Sequence, residues 1–509
     1  MIKSYFKSFI VIVLVSLTFK PLWILDNYNL GGFGEDDFSY WLHASTLAFD
    51  NDINYLNDYE YDEGNFVVGK NTPYHPPGAG YLVSPFVKVF SFFDEGGSIE
   101  NIRLNPIGSM SYLGFFIGNL VFLFFGLYFL KKTLLNLNVF DPSLIYLTFL
   151  STLVHFATTR FLMSHVAEFF ISSMIIYYIF GIKDLTQNQK NFLFFLYFIL
   201  IFIRPSNFLY FLILLIIKKN KIFNNLKSKR LFLFSFFIYI GMYMKISDYL
   251  YGSYSLLFNP SVNKTSNSFF ENFELTSLLN NILNLPDLFF STNMGIAYST
   301  PIVLTALFGI FEMLRLFEKR IDKILLSLYL ISPFVIMFVW GGQEVSYGQR
   351  LLIGILPFSA VLSGFVLKKL KNKLIIYVLL FNTYLGYLFF YSSKVLTLRE
   401  GTNLWGIYSK FTAENYYLNL YQALTNIQDI FAALTKNIYF VSFLRLTPTD
   451  LLSTFFIKLS ISNEQIDKTL QLQSRYLDFS NSYMNTYIVI VLLFSFLFVY
   501  FFKHPVSRD

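Results

Sequence analysis

Three consecutive carboxylates, Glu35-Asp36-Asp37, follow an apolar run near the start of this 509-residue chain. They head a stretch from Asp26 to Gly80 that holds ten acidic residues against one lysine, Lys70. A carboxylate at the edge of a bilayer is partly desolvated, which raises its pKa and suits it to take a proton from a hydroxyl. Asp36 and Asp37 are so placed. For the scattered Asp50, Asp52, Asp58, Glu60, Asp62 and Glu63, the acidity common in exported loops is explanation enough. Downstream, Asn71-Thr72-Pro73-Tyr74-His75-Pro76-Pro77-Gly78-Ala79-Gly80 sets a histidine ahead of two prolines, expected to hold the backbone extended, and two glycines, expected to allow a tight turn into an apolar segment. Such an element fixes His75 in space. Imidazole suits a phosphate oxygen, a proton relay or a metal, although a lone histidine can equally be structural.

The elements that must position these residues are membrane helices. The chain is 55% hydrophobic, 20% aromatic and 14% charged, with mean hydropathy +0.51, which leaves too little polar surface for a large soluble protein. The formal charge of +7 does not indicate a nucleic-acid partner, because the basic residues lie in short clusters beside apolar runs and not on one stripe. With no cysteine, the outer loops are held by packing alone. Taking about 20 apolar residues per crossing, about twelve spans are expected, at 8–25, 108–130, 143–159, 163–182, 190–203, 205–218, 231–249, 298–316, 323–340, 351–368, 373–391 and 484–502. The first is read as an uncleaved span, since no small-x-small site follows it. The run 191–217, interrupted by Arg204-Pro205, is either one kinked helix or two spans; basic residues at both ends favour two. Lys3/Lys7, Lys131/Lys132, Lys183/Lys190, Lys218 to Arg230, Lys319/Arg320/Lys323, Lys368 to Lys373 and Lys503/Arg508 then share one side, which places both termini in the cytoplasm. The expected fold is all-α and polytopic. Its core is 1–391 with a catalytic outer loop at 26–107, followed by an extracytoplasmic, helical segment at 392–483 and a last span and tail at 484–509.

The string Gly34-Glu35-Asp36-Asp37-Phe38-Ser39-Tyr40, the acidic stretch after it, and Tyr74-His75-Pro76-Pro77-Gly78-Ala79-Gly80 with Pro85-Phe86 resemble the first periplasmic loop of the C-type (GT-C superfamily) membrane glycosyltransferases, such as the protein O-mannosyltransferases and the aminoarabinose transferases of lipid A. Gly341-Gly342-Gln343-Glu344-Val345-Ser346-Tyr347-Gly348-Gln349-Arg350 is similar to a recurrent outer loop of the same enzymes. The resemblance implies a GT-C fold with helical outer loops, in the plasma membrane, and transfer of a monosaccharide from a polyprenyl-phosphate donor to a lipid, glycan or protein acceptor on the extracytoplasmic face. It also implies that Asp36 or Asp37 is the catalytic base and that His75 takes the basic position near the lipid phosphate. The C-terminal part departs from the pattern, with no separate periplasmic domain recognised.

Arg350 and Arg204 are further candidates for the donor phosphate, as is Arg160, because an arginine at the membrane surface is costly without a partner; snorkelling to lipid headgroups is the alternative for Arg160 and Arg204. Glu35, Tyr40, Tyr74, Glu168 and Tyr347 are candidates to line the cavity, and Glu168 could pair with His165. His75, His43 and the carboxylates could hold a divalent metal, but no spacing selects one, so the metal stays unassigned. A transporter or flippase of lipid-linked glycans would call for discontinuous helices and midplane polar residues in two related halves, which the sequence lacks. A polysaccharide polymerase or ligase would rely more on Arg and His than on an acidic pair.

Overall fold

A computed structural model describes residues 35–55, 73, 75–94, 99–104, 106, 109–158, 160–218, 222, 226–252, 295–315, 323–324, 326–331, 349–370, 374–380, 383 and 493. Their regular elements are all helices. The expected spans at 8–25 and, but for Leu493, at 484–502, most of those at 323–340 and 373–391, and the segment 392–483 lie outside the described residues.

The described residues of the acidic loop form α1 (Glu35–Phe49), α2 (Gly78–Ser91) and the short α3 (Ile99–Leu104). The Gly78-Ala79-Gly80 run is the first turn of α2 and not the tight turn expected, and Pro77 already has helical angles (φ −77°, ψ −15°). The glycines serve helix crossing. A Cβ on Gly80 would lie 2.6 Å from the His43 Cβ and 2.8 Å from the Tyr40 carbonyl oxygen, and one on Gly78 would meet the Phe202 backbone.

The helix α4 (Met110–Asn136) starts where Asp94 and Ser109 cap it. Asp94 accepts from the Met110 amide (2.5 Å) and from the Ser111 amide (3.2 Å), satisfying N–H groups that an apolar helix cannot leave bare. The expected span at 143–159 is broken into α5 (Pro142–Phe149) and α6 (Thr152–Thr158). At the break, the Ser151 hydroxyl donates to the Thr148 carbonyl (2.6 Å) and accepts from the Leu153 amide (3.3 Å), ending one helix and capping the next.

After α7 (His165–Ile176) comes a π-helical turn, Tyr177–Gly181, and then α8 (Gln187–Ile203) and α9 (Pro205–Ile217). Arg204 is extended (φ −152°, ψ 93°), as a residue before proline must be once the helix stops. The Tyr197 hydroxyl donates to the Phe211 carbonyl at 2.9 Å. Each of those residues is seven positions from Arg204, so α8 and α9 fold back on each other as an antiparallel pair, which decides the 191–217 question in favour of two helices. α10 (Leu226–Tyr251) packs on α8; α11 (Ile296–Ser299) and α12 (Pro301–Leu314) follow, and a 3₁₀ turn, Arg350–Ile355, runs into α13 (Leu356–Lys369).

Among the described residues two helical stretches are long and apolar enough to cross a membrane, Met110–Asn136 (mean hydropathy 2.1) and Arg350–Lys369 (2.0); His165–Gly181 and Pro301–Leu314 are shorter apolar helices. Contacts along α4 and α7 advance together, Phe122 stacking on Phe170 (5.2 Å) and Asn136 Nδ2 donating to the Gly181 carbonyl (2.9 Å), so the two run parallel. Near their C-terminal ends lie Lys131, Lys132 and Lys218, the last over the Phe180 ring at 5.2 Å. Arg160, His165 and Arg204 lie at the opposite end, at the start of α7 and at the α8–α9 turn. Clustered lysines and the candidate site thus occupy opposite poles of the bundle.

Gly80→Val should lower stability by about 1–3 kcal/mol, the usual range for forcing methyl groups into a packed contact. Gly241→Ala, whose Cβ would meet nothing within 4 Å, should leave it unchanged or raise it by up to about 1 kcal/mol, because alanine suits a helix interior better than glycine. Thermal unfolding of the purified protein in detergent compares the two.

Candidate functional site

The helix α1 has two working faces. Asp36, Tyr40 and His43 are spaced i, i+4, i+7 on one stripe, and Asp37, Trp41 and Ala44 repeat the spacing on the next. The second stripe is buried: Asp37, Trp41 and Ala44 are each 0% exposed. Trp41 Nε1 donates to the Arg103 carbonyl (2.9 Å), and the Arg103 guanidinium lies 2.6 Å from Asp50, so α3 is tied to the middle of α1 and to its C-terminal end. Asp50 is therefore structural. Asp52 likewise caps its own turn, accepting from the Asn54 amide at 2.9 Å.

Asp37 has no water to face. Arg160, from the 160–164 turn before α7, brings Nη2 to 2.5 Å from Asp37 Oδ2. That turn is itself held, as Asn119 Nδ2 of α4 donates to the Phe161 carbonyl. Burial raises the Asp37 carboxyl above the ordinary carboxylate value, against the pull of Arg160. Asp36 is different. Its side chain is 31% exposed, Arg350 Nη1 donates to Oδ2 at 3.1 Å, and His75 Nε2 stands 3.3 Å from Oδ1. Burial pushes the Asp36 carboxyl up, but His75, Arg350 and Arg160 outweigh it and hold it below the ordinary value.

His75 is held by its main chain. Its carbonyl accepts from Tyr251 Oη (2.9 Å) and lies 2.7 Å from His43 Nε2, and its amide donates to Ser39 Oγ (3.1 Å). The ring packs 5.2 Å from that of Tyr40. Burial lowers the His75 pKa, Asp36 opposes this, and Arg350 and Arg204 add to the lowering. At neutral pH the ring is uncharged, and with Nε2 facing a carboxylate its proton belongs on Nε2.

A second polar cluster adjoins the first. Glu168, 0% exposed, lies 3.3 Å from both Arg204 Nε and His165 Nδ1 and accepts from Asn207 Nδ2. The Arg204 Nη2 also stands 3.1 Å from His165 Nδ1. Beside Arg350, Gln349 is 1% exposed, and neither amide atom has a hydrogen-bond partner among the described residues.

Of the residues picked from the sequence, Asp36, Asp37, His75, Tyr40 and Arg350 come together, and Arg204 and Glu168 pair in the adjoining cluster. Glu35 opens α1 but its side chain, like Tyr74 and Tyr347, lies outside the described residues. His43, weighed as a metal ligand, has both ring nitrogens engaged, Nδ1 with Tyr55 Oη at 2.6 Å. Among the described residues no group of three or more His, Asp or Glu side chains converges on one ion position. Arg160 as the partner of Asp37, and Asn207, were not foreseen. Asn207 carried a signal, an amide three positions after Arg204 inside an apolar run, where a polar group needs a partner.

No protein-family model matches the chain, and no curated protein matches it. Among solved structures it is similar to the oligosaccharyltransferase of Archaeoglobus fulgidus in its apo form, with a TM-score of 0.43 and 12% identity over 78% of this chain. The match covers 58% of that protein's length.

Arg160→Met strands the Asp37 carboxylate and should cost about 3 kcal/mol, the scale for breaking a buried ion pair. Adding Asp37→Asn should return most of it. Unfolding midpoints of the single and double variants decide this; no recovery in the double variant would mean that Arg160 stabilises through something other than Asp37.

Proposed function

We propose that the protein is a multi-pass membrane glycosyltransferase that moves a monosaccharide from a polyprenyl-phosphate donor to an acceptor hydroxyl on the extracytoplasmic face, inverting the anomeric carbon. The observation that carries the reading is the partly exposed Asp36 carboxylate flanked by Arg350 and His75, two groups suited to a phosphate. In this reading Asp36 takes the acceptor proton as the hydroxyl oxygen bonds to the anomeric carbon. The bond from that carbon to the phosphate oxygen breaks, and its electron pair leaves with the lipid phosphate. Arg350 and His75 stabilise the charge that gathers there. Asp37, the other candidate base, is enclosed and paired with Arg160, so its part is to hold α1 and not to meet the acceptor. Arg204 is engaged with Glu168 and braces the wall beside His75. A donor confined to the bilayer accounts for a site at one pole of a helical bundle, opposite the lysines that favour the cytoplasmic side. On that orientation both termini are cytoplasmic, which calls for an even number of spans, twelve in this reading.

Purified protein in lipid, given a panel of radiolabelled polyprenyl-phosphate monosaccharides, should release sugar from one donor, and Asp36→Asn should cut turnover by at least about 100-fold while the protein stays folded. A full rate in Asp36→Asn would overturn the assignment of the base. Because the folded-state pKa of Asp36 is lowered, the carboxylate stays ionised as pH falls, and the acidic fall in kcat/KM should come only below about pH 4. A fall centred near pH 6 would point to a different base.

A further inference from the structure

We infer that His43 is a positioning residue: its ring, locked in one neutral tautomer by Tyr55 and Tyr81, holds the His75 main chain so that the His75 imidazole stands opposite Asp36. The inference rests on the reaction proposed above.

The direction of each hydrogen bond follows from chemistry. The His75 carbonyl oxygen can only accept, so the proton of the 2.7 Å contact sits on His43 Nε2. His43 Nδ1 is then a bare acceptor, and the Tyr55 hydroxyl 2.6 Å away must donate to it. Having given its proton to His43, the Tyr55 oxygen is left to accept from Tyr81 Oη at 3.1 Å. The relay therefore runs one way, from Tyr81 through Tyr55 and His43 to His75.

A charged His43 has no place in this relay. A proton on Nδ1 would face the Tyr55 oxygen, which would have to turn its own proton away, and the ring is 0% exposed. Burial accordingly lowers the His43 pKa to about 3, with its bond to His75 opposing the shift. No carboxylate touches the ring among the described contacts. Its neighbours are the edge-on rings of Tyr55 (5.3 Å) and Tyr81 (5.8 Å), and the backbone of α2 crosses directly over its Cβ at Gly80. A ring so enclosed and neutral suits a brace and not a proton carrier.

The brace acts on a residue with little other support. His75 Nδ1 is buried with no hydrogen-bond partner among the described residues, so the ring's placement rests on its main-chain bonds, on the Tyr40 ring and on Asp36. Tyr251 shares the His75 carbonyl at 2.9 Å, so two donors from separate helices converge on one oxygen.

The test is a double-mutant cycle read on donor turnover by the full-length protein in lipid, with the polyprenyl-phosphate sugar that the wild type consumes. His43→Leu removes the donor, whereas His43→Gln keeps an N–H at about the reach of Nε2. His43→Leu should lower kcat by about 10- to 100-fold, the scale of a misplaced catalytic group, with a smaller change in donor KM. His43→Gln should recover most of the rate, and Tyr55→Phe, the mildest change, should fall between. In a His75→Ala background His43→Leu should cost nothing further. Equal losses with and without His75, or a glutamine variant no better than leucine, would overturn the assignment. If the wild type consumes no donor, the reaction reading fails, and the inference is then decided by the His75 ring resonances of ¹⁵N-histidine-labelled protein. They should shift in His43→Leu and return in His43→Gln; resonances unchanged in both variants would overturn it.

Discussion

A carboxylate sealed from water at the start of α1 dictates much of what surrounds it. Asp37 cannot stay charged in an apolar interior without a cation, and the cation it takes, Arg160, comes from the turn that opens α7. To deliver that arginine the 160–164 turn must be buried, and to be buried its backbone must be satisfied, which the Asn119 side chain does at Phe161 from within α4. The ion pair thus ties α1, a loop helix, to two helices of the bundle. Asp36, one residue earlier, is brought to the rim of the same junction with one edge open.

Two other arginine–carboxylate contacts lie at the same pole, Arg204 with Glu168 and Arg350 with Asp36. Each joins segments remote in the chain, the last across 314 positions. Helices that start together at that pole leave their lysines together at the other, so the candidate site and the lysine clusters are separated along the bundle. The three pairs differ in exposure, and exposure separates their roles. Asp37 and Glu168 are enclosed, whereas the Asp36 carboxylate keeps one edge open, and on the proposed reaction that edge meets the acceptor.

Much of the site was legible because its residues lie in short strings with unusual composition. Asp36, Asp37 and His75 fall in two motifs of one loop, and Arg350 ends a glycine-rich string before an apolar run. Helices were legible where apolar length decides them, as for α4, and where proline forces a break, as at Arg204-Pro205. What could not be read were matters of pairing across the chain. Nothing in the composition around Arg160 says that it meets Asp37 and not a lipid headgroup. Gly78 and Gly80 serve a helix crossing and not a turn, and the two uses of glycine look alike in sequence. The split between α5 and α6 turns on the side-chain bonds of Ser151, which hydropathy does not register.

Asp36 and Arg350 face each other, and the proposed reaction puts them on the extracytoplasmic side. The chain has no native cysteine, so a doubly substituted Asp36→Cys/Arg350→Cys protein carries one defined pair of thiols. In intact cells or right-side-out vesicles, a membrane-impermeant bifunctional thiol reagent with a short spacer should join the two peptides, as read by mass spectrometry. If both cysteines react singly from outside yet never join, or react only once the cytoplasmic face is opened, the account of the site is contradicted.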